Sequence, residues 1–330
     1  MVNIIDVARQ AGVSKTTVSR VINNYPHISP DKRRQVMEAM EQLGFVPNPS
    51  ARKLRGQVTT TIAVIVPKIV NPFFAYLVDA IEQEGYRQGY QTLICQTNEH
   101  KSKEIAYLDL LKNKQADGII MAAIENDWAD IEPYTAFGPI VLCNEYVNQN
   151  DVPTIRVDQH EGTYTAIRHL IERGHRKIMY CTGGLFTDFG KDKDRNQAYQ
   201  RALEEAGIAI NPNWILVDRH TIEDGKKVTE LILDMSDRPT AVFTGSDEIA
   251  SGLMMAARKA GLHIPNDLAI IGFDDQPIAE VLSPSLTTIR QPIARMGKQA
   301  VDMLVQLMDQ QPLSTSLSKL PVELVIREST

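Results

Sequence analysis

Ile4-Ile5-Asp6-Val7-Ala8-Arg9-Gln10-Ala11-Gly12-Val13-Ser14-Lys15-Thr16-Thr17-Val18-Ser19-Arg20-Val21-Ile22-Asn23 reads as two short helices joined by a tight turn. Asn3 supplies a cap for the first helix, and Asp6 near its start favours the helix dipole. Ile5, Val7 and Ala8 form the inward face. Gly12 closes the helix, because the residue just past a helix end often needs a left-handed backbone. Ser14 caps the second helix, whose Val18, Val21 and Ile22 recur at helical spacing as a buried side. The opposite side offers Lys15, Thr16, Thr17, Ser19 and Arg20, short hydroxyls and cations of the kind that reach phosphates and base edges. A helix, a Gly-containing turn and a second helix with a polar outer face describe a helix-turn-helix. A small helical hairpin with a solvated face is the plainer reading of the same pattern.

Charge separates the two readings. The chain of 330 residues has a net charge of −6, yet residues 1–60 hold nine Lys/Arg against four Asp/Glu. A basic head on an acidic body implies a polyanionic partner for the head alone. The length predicts two or three domains with ample core. Three widely spaced cysteines, Cys95, Cys143 and Cys181, argue against a disulfide scaffold or a zinc site and predict free, buried thiols. The start of the chain lacks an apolar signal core, and no run approaches the ~18 apolar residues of a membrane span. A soluble cytoplasmic protein is expected, with no membrane association.

After the second helix, Ser29 caps a third, with Pro30 at its first position. Val36, Met37, Met40 and Leu43 form its apolar stripe, and Gly44 ends it. Lys32, Arg33 and Arg34 crowd its first turn, either as a solvated face or as phosphate contacts. Residues 47–57 then form a linker punctuated by Pro47 and Gly56. Within it Asn48 and Pro49 start a short helix bearing Ala51 and Leu54, surrounded by Arg52, Lys53 and Arg55. So few residues do not hold a helix alone in water. An exposed Leu flanked by cations suits an apolar wedge in a minor groove. A flexible basic tether is the other reading.

From Thr60 the texture changes to alternating strand and helix. Ile62-Ala-Val-Ile-Val-Pro67 is a near-continuous apolar run, as in buried parallel strands. Further strands are predicted at 91–95, 118–121, 139–143, 154–157, 177–180, 214–217, 241–243, 268–271 and 322–326. Helices are predicted at 72–89, 101–114, 127–136, 160–173, 193–206, 224–235, 247–260 and 293–308. Repeated β-α units argue for two doubly wound lobes, whose ligands bind outside the carboxyl ends of the strands. Those ends carry Asn71-Pro72-Phe73-Phe74, Asn144-Glu145, Asp188-Phe189 before Arg195, Ser246-Asp247 and Asp274-Asp275. Aromatic faces with carboxylates, an amide and an Arg suit a polyhydroxylated ligand. Each also has an ordinary use: Ser246 or Asp247 as a helix cap, Phe73 and Phe74 as core, Asp274-Asp275 as a turn. Enzymatic readings lack support. Gly184 to Gly190 leaves five residues where a phosphate loop needs four, and Asp192 replaces the hydroxyl. No Gly-x-Ser-x-Gly elbow or paired-His metal motif is present, His160, His169, His175 and His220 are isolated, and no cofactor is expected.

These motifs together resemble the lactose/galactose-repressor (LacI/GalR-type) family of bacterial transcription regulators over essentially the whole length. The resemblance is carried by Asp6-Val-Ala, Ala11-Gly-Val-Ser, Thr17-Val-Ser-Arg-Val-Ile-Asn23, Pro47-Asn48, Ala51, Leu54, Asn71-Pro-Phe-Phe74, Arg173-Gly-His-Arg-Lys-Ile178, Gly272-Phe-Asp-Asp275 and Leu286-Thr-Thr-Ile289. It implies an α plus α/β fold. A helix-turn-helix domain (1–46) and a hinge helix (47–57) precede a two-lobed, periplasmic-binding-protein-like core of doubly wound parallel sheets. The lobes span 58–158 with 290–318, and 159–289 with 319–330. The resemblance also implies a homodimer on a pseudopalindromic operator, a non-enzymatic repressor of carbohydrate-utilisation genes in the bacterial cytoplasm, nucleoid-associated when bound. Lys15, Thr16 and Arg20 match base-reading positions, with Thr17 and Ser19 beside them, and Asn48, Ala51 and Leu54 match the hinge helix. Asn71, Phe74, Asn144, Asp188, Arg195, His220, Ser246, Asp274 and Gln291 match the effector positions between the lobes. A small sugar or sugar derivative is the expected allosteric effector. The alternatives are a co-repressor-dependent regulator sensing a nucleobase or a phosphorylated protein, and a cytoplasmic ligand-binding receptor. The chain departs from the family pattern in having Ser246 where Asn is frequent and Asn144 where Asp is frequent. It also carries unusual charge over 188–194 and shows no C-terminal heptad extension, so a leucine-zipper tetramer is not expected.

Overall fold

The computed structural model describes residues 3–22, 25, 27–45, 59–145, 147, 151–184, 186 and 193–330. The hinge residues Asn48, Ala51 and Leu54, and Asp188 in the charged segment, lie outside the described residues. Two compact units divide at Thr59/Thr60.

In the first unit, α1 (Ile4–Gln10), α2 (Lys15–Ile22) and α3 (Pro30–Gln42) enclose a small core of Val7, Ala8, Val18, Val21, Val36 and Ala39. Asn3 and Asp6 make a reciprocal capping box. Asn3 Oδ1 accepts from the Ile5 and Asp6 amides, and the Asp6 carboxylate accepts from the Asn3 amide. Gly12 turns the chain with φ +65°, a value a side chain disfavours. Ser14 Oγ accepts from the Thr17 amide at 3.1 Å and starts α2. Three details differ from the sequence reading. Ile5 is 51% exposed, and Ile4 packs on the core instead. Met37 is 54% exposed, because Met40, Leu43 and Phe45 already cover that side. Ser29 stands at the N-cap of α3 without a side-chain hydrogen bond, leaving Pro30 as the starter.

The second unit contains two six-stranded sheets. The first is built from β1 (Thr61–Val66), β2 (Gln91–Gln96), β3 (Gly118–Met121), β4 (Ile140–Cys143), β5 (Thr154–Val157) and β11 (Leu317–Leu320), in the order β11-β5-β4-β3-β1-β2. The second is built from β6 (Ile178–Cys181), β7 (Ile215–Leu216), β8 (Ala241–Thr244), β9 (Ala269–Asp274), β10 (Thr287–Arg290) and β12 (Glu323–Val325), in the order β12-β10-β9-β8-β6-β7. The two orders are the same. Only the last strand differs, β11 joining its neighbour parallel and β12 antiparallel.

Helices cover both faces of each sheet. In the first lobe α4 (Pro72–Arg87) and α12 (Ile293–Met308) cover one face, and α5 (Lys101–Lys112) and α6 (Trp128–Ile131) the other. In the second lobe α7 (Gln159–Glu172) and α8 (Lys193–Glu205) cover one face. The other is covered by α9 (Ile222–Asp234), α10 (Asp247–Lys259) and α11 (Ile278–Val281). The interiors of the central strands β1, β3, β4, β6, β8 and β9 are buried, as the apolar run Ile62–Val66 requires, whereas the edge strand β2 leaves Leu93 and Ile94 exposed. α9 and α10 approach so closely that a Cβ on Gly252 would stand 1.9 Å from the Ile222 carbonyl oxygen. Tyr86 of α4 is 77% exposed.

The chain passes between lobes at Asp158, at Gln291-Pro292 and at Pro321-Val322. The boundaries expected at 289/290 and 318/319 each fall inside a strand, β10 and β11. Pro292 and Pro321 follow these two strands closely, and a proline cannot donate to a strand ladder. Cys95, Cys143 and Cys181 are buried free thiols, and burial pushes the thiols of Cys143 and Cys181 up to about 12. Among the described residues no helix is long and apolar enough to cross a membrane.

Candidate functional site

The outer face of α2 carries Lys15, Thr16 and Arg20, all exposed. Thr17 is half-buried, and its hydroxyl meets Ser14 Oγ at 2.9 Å, so it helps close the helix start. Ser19 is also half-buried. The face therefore presents a Lys, a Thr and an Arg within two turns, a donor set suited to phosphates and guanine edges. Arg9 pairs with half-buried Asp6 on α1, and exposed Arg34 with Asp31 on α3.

In the core unit the polar residues gather at the carboxyl ends of the second sheet. Arg195, on α8, lays its guanidinium over the Phe273 ring, 4.1 Å from the centroid. Its Nε donates to Gln159 Oε1 at 2.6 Å, and Nη1 donates to the Gly245 carbonyl at 3.1 Å. Asp274 ends β9 with φ +112°, a backbone value L-residues rarely hold. Its carboxylate is buried and accepts from Gln291 Nε2 at 2.6 Å and Gln276 Nε2 at 3.1 Å. Burial pushes Asp274 up to about 7, opposed by the Gln291 hydrogen bond and the Arg195 charge. Gln291 Oε1 is buried and meets no donor among the described residues.

Ser246 and Asp247 take the ordinary uses that the sequence left open. Ser246 Oγ caps α10, accepting from the Ile249 amide. Asp247 is fully buried beneath Gly272, accepts from the Gln276 amide at 2.7 Å and from Thr288 Oγ1 at 2.5 Å, and ties α10 to β10. Burial, then the neighbouring Asp274, raises Asp247 well above the usual carboxylate range. Glu248 beside them is half-buried, and its carboxylate accepts no hydrogen bond among the described residues. Burial raises it, while His220 nearby pulls it down. His220 is exposed, with its ring against Gly183.

The first lobe offers different chemistry. Asn71 caps α4, accepting from the Phe73 amide at 3.0 Å. Phe73 belongs to the hydrophobic core, and Phe74 stands edge-on to it at 5.1 Å, half-buried. Asn144 follows β4 with φ +78°, and its amide donates to the Ile155 carbonyl. Among the described residues no hydrogen bond joins Asn71, Phe74 or Asn144 to the second-lobe cluster. The lobes are joined instead by an ion pair that sequence reasoning missed: Arg156 of β5 to Asp194 of α8, 3.1 Å and largely buried, one residue before Arg195. Gln159, Gln276 and Glu248 were also missed. The two amides carry no charge pattern, and Glu248 sits in the Ser-Asp-Glu run that opens α10.

A groove of about 950 Å³ borders Asp274, Gln276 and Gln291 and runs along α4 and α12 past Arg87, Arg295 and Lys298. Among the described residues no group of His, Cys, Asp and Glu is arranged to hold a metal.

Residues 3–48 match the model of the bacterial regulatory proteins, lacI family, and residues 167–330 that of a periplasmic binding protein-like domain. The chain is 41% identical to the NTD biosynthesis operon regulator NtdR of Bacillus subtilis (strain 168), over 100% of both chains. It is similar to the lac repressor dimer bound to operator and the anti-inducer ONPF, with a TM-score of 0.86, 27% identity, and coverage of 99% of this chain and 98% of that one. A LacI family transcriptional regulator from Lactobacillus casei with bound sucrose matches 82% of this chain and 99% of its own, with a TM-score of 0.76 and 31% identity. The DNA-facing helix and the two-sheet core thus occur together, end to end, in regulators of one kind, and the chain belongs to the lacI family of bacterial regulatory proteins as a DNA-binding transcription regulator.

Proposed function

We propose that the protein is a homodimeric repressor of carbohydrate-utilisation genes that leaves a pseudopalindromic operator when a small sugar or sugar derivative enters the cleft between its lobes. It acts in the cytoplasm, on the nucleoid. Lys15, Thr16 and Arg20 read bases, with Thr17 and Ser19 beside them, and Asn48, Ala51 and Leu54 form the hinge helix that wedges the minor groove. In the cleft Arg195 and Asp274 hold ligand polar atoms, Phe74 stacks on the ligand's apolar face, and Asn71, Asn144, Asp188, His220, Ser246 and Gln291 complete the wall. The relative with bound sucrose and the operator-bound lac repressor support both halves of this reading.

The observation that carries the ligand class is the hydrogen-bond inventory around Asp274. Arg195 already donates to Gln159 and Gly245, and both Gln amides donate to Asp274. Among the described residues, acceptor capacity remains open at Gln291 Oε1 and the Glu248 carboxylate, and donor capacity at Arg195, whose two hydrogen bonds use only part of the guanidinium's N–H groups. A ligand rich in hydroxyl donors satisfies such a wall, and the Phe273-backed guanidinium adds a rigid donor on one side.

The test is selection of genomic fragments bound by the full-length protein, repeated with candidate sugars. A recurrent palindrome whose binding one sugar weakens supports the proposal. A ligand that strengthens operator binding makes the protein a co-repressor-dependent regulator. Absence of any enriched palindrome in every condition overturns the operator half.

A further inference from the structure

Tyr25 is 48% exposed. Its backbone is held twice. The Tyr25 amide donates to the Arg20 carbonyl at 2.9 Å, and Arg33 Nη2, from α3, donates to the Tyr25 carbonyl at 3.3 Å. Its ring meets the His27 ring edge-on, with centroids 5.9 Å apart. The Arg20 guanidinium stands over the ring, its carbon 5.4 Å from the centroid. Tyr25 is thus a fixed plate carrying the cation at the end of the DNA-facing helix.

We infer that Tyr25 is a positioning residue for sequence readout: it pre-orders the Arg20 guanidinium for a two-pronged contact with a guanine. This rests on the reading of Arg20 as a base-reading residue. A free Arg side chain loses rotamer freedom when it docks, and a bidentate contact to guanine O6 and N7 demands one orientation of the planar fork. A ring face holds a guanidinium by cation–π attraction while leaving its edge donors open. Among the described residues, no aromatic ring backs Lys15 or Thr16 at the other end of the helix. The benefit therefore falls on the base contacted by Arg20 and not on DNA binding in general. Tyr25 lies past the end of α2, outside the motif positions that sequence patterns mark, which is why its role shows only in three dimensions.

The experiment compares full-length wild type with Tyr25→Leu, Tyr25→Phe and Arg20→Ala on randomised operators and on one scrambled duplex, over a range of salt. For Tyr25→Leu the expected result is an about fivefold loss of operator affinity. Scrambled-DNA affinity and the salt slope stay unchanged, and guanine preference weakens at the one half-site position that Arg20→Ala erases. Tyr25→Phe keeps the plate and retains wild-type preference. If Tyr25→Leu weakens operator and scrambled DNA equally, or Tyr25→Phe behaves like it with a shallower salt slope, Tyr25 is a phosphate contact through its hydroxyl and the inference is overturned. An unchanged base preference in Tyr25→Leu overturns it as well. If Arg20→Ala itself leaves base preference intact, the reading of Arg20 falls first and takes this inference with it.

Discussion

The two lobes share one strand order and differ in what stands at the ends of equivalent strands. In the first sheet β4 runs out into Asn144, and in the second the equivalent strand β9 ends in Asp274; both residues have positive φ. One is a neutral amide bonded through its backbone, the other a buried carboxylate gripped by two glutamines. The first lobe offers a ring, Phe74, and the second a ring-backed guanidinium, Arg195. Duplicated topology therefore does not mean duplicated chemistry. The second lobe holds the charges and orients polar atoms, while the first supplies a face to close against. On the proposed reading, a ligand between them is held by hydrogen bonds on one side and by stacking on the other.

If that division is right, Arg195→Ala should be the most damaging change to ligand binding. Calorimetry with an inducing sugar should give about 100-fold weaker affinity, as expected for lost hydrogen bonds from a charged donor. Operator affinity without ligand should remain. A variant with near-normal sugar affinity would mean that the second lobe does not hold the ligand's polar atoms.

Asp274 makes the asymmetry visible in stability. Its native value of about 7 exceeds the ~3.9 of an unfolded Asp, so between those values the folded protein holds a proton that the unfolded chain lacks. Stability should therefore fall as pH rises from about 4 to about 7 and then level off. Asp274→Asn should flatten that fall and raise Tm at pH 7.5 by about 5 °C, read by calorimetry. Asp247, raised in the same direction, keeps part of the slope. A steeper fall in the variant would contradict the assignment.

Phe74→Ala should weaken the sugar about tenfold through lost stacking area, without altering the pH profile. A change in that profile would place Phe74 against the charged cluster and erase the contrast between lobes. The smallest effect belongs to Arg156→Gln, which removes the largely buried interlobe pair with Asp194. A shift of about threefold in the sugar concentration needed for operator release is expected, as for a coupling between lobe positions of under ~1 kcal/mol. No shift would make the pair a spectator to lobe movement.

Much of this was legible because local chemistry and tertiary need agreed. Asn3, Gly12, Ser14 and Gly44 punctuate the helices where caps and left-handed turns must fall, and the apolar run Ile62–Val66 announces a strand buried on both faces. The failures have equally local causes. A seven-residue helix leaves the choice between Ile4 and Ile5 to packing against α3, and Met37 lost its place to Phe45, which lies beyond the helix. β10 and β11 are short, with Thr and Ser in their runs, and did not stand out as strands. At the site, charged residues drew attention while the amides that orient them did not. Gln159 and Gln276 acquire meaning only once Arg195 and Asp274 are seen beside them. The Arg156–Asp194 pair spans 38 residues and two lobes, a separation no local pattern reports.

The three short links at Asp158, Gln291-Pro292 and Pro321-Val322 set the mechanics of the whole core. A body tied to another by one cord can swing in any direction. One tied by three cords side by side, two of them stiffened by proline, keeps little more than a single rotation. On the proposed reading, ligand binding between the lobes then has few ways to dissipate, and a rearrangement at Arg195 reaches the first lobe only through these links.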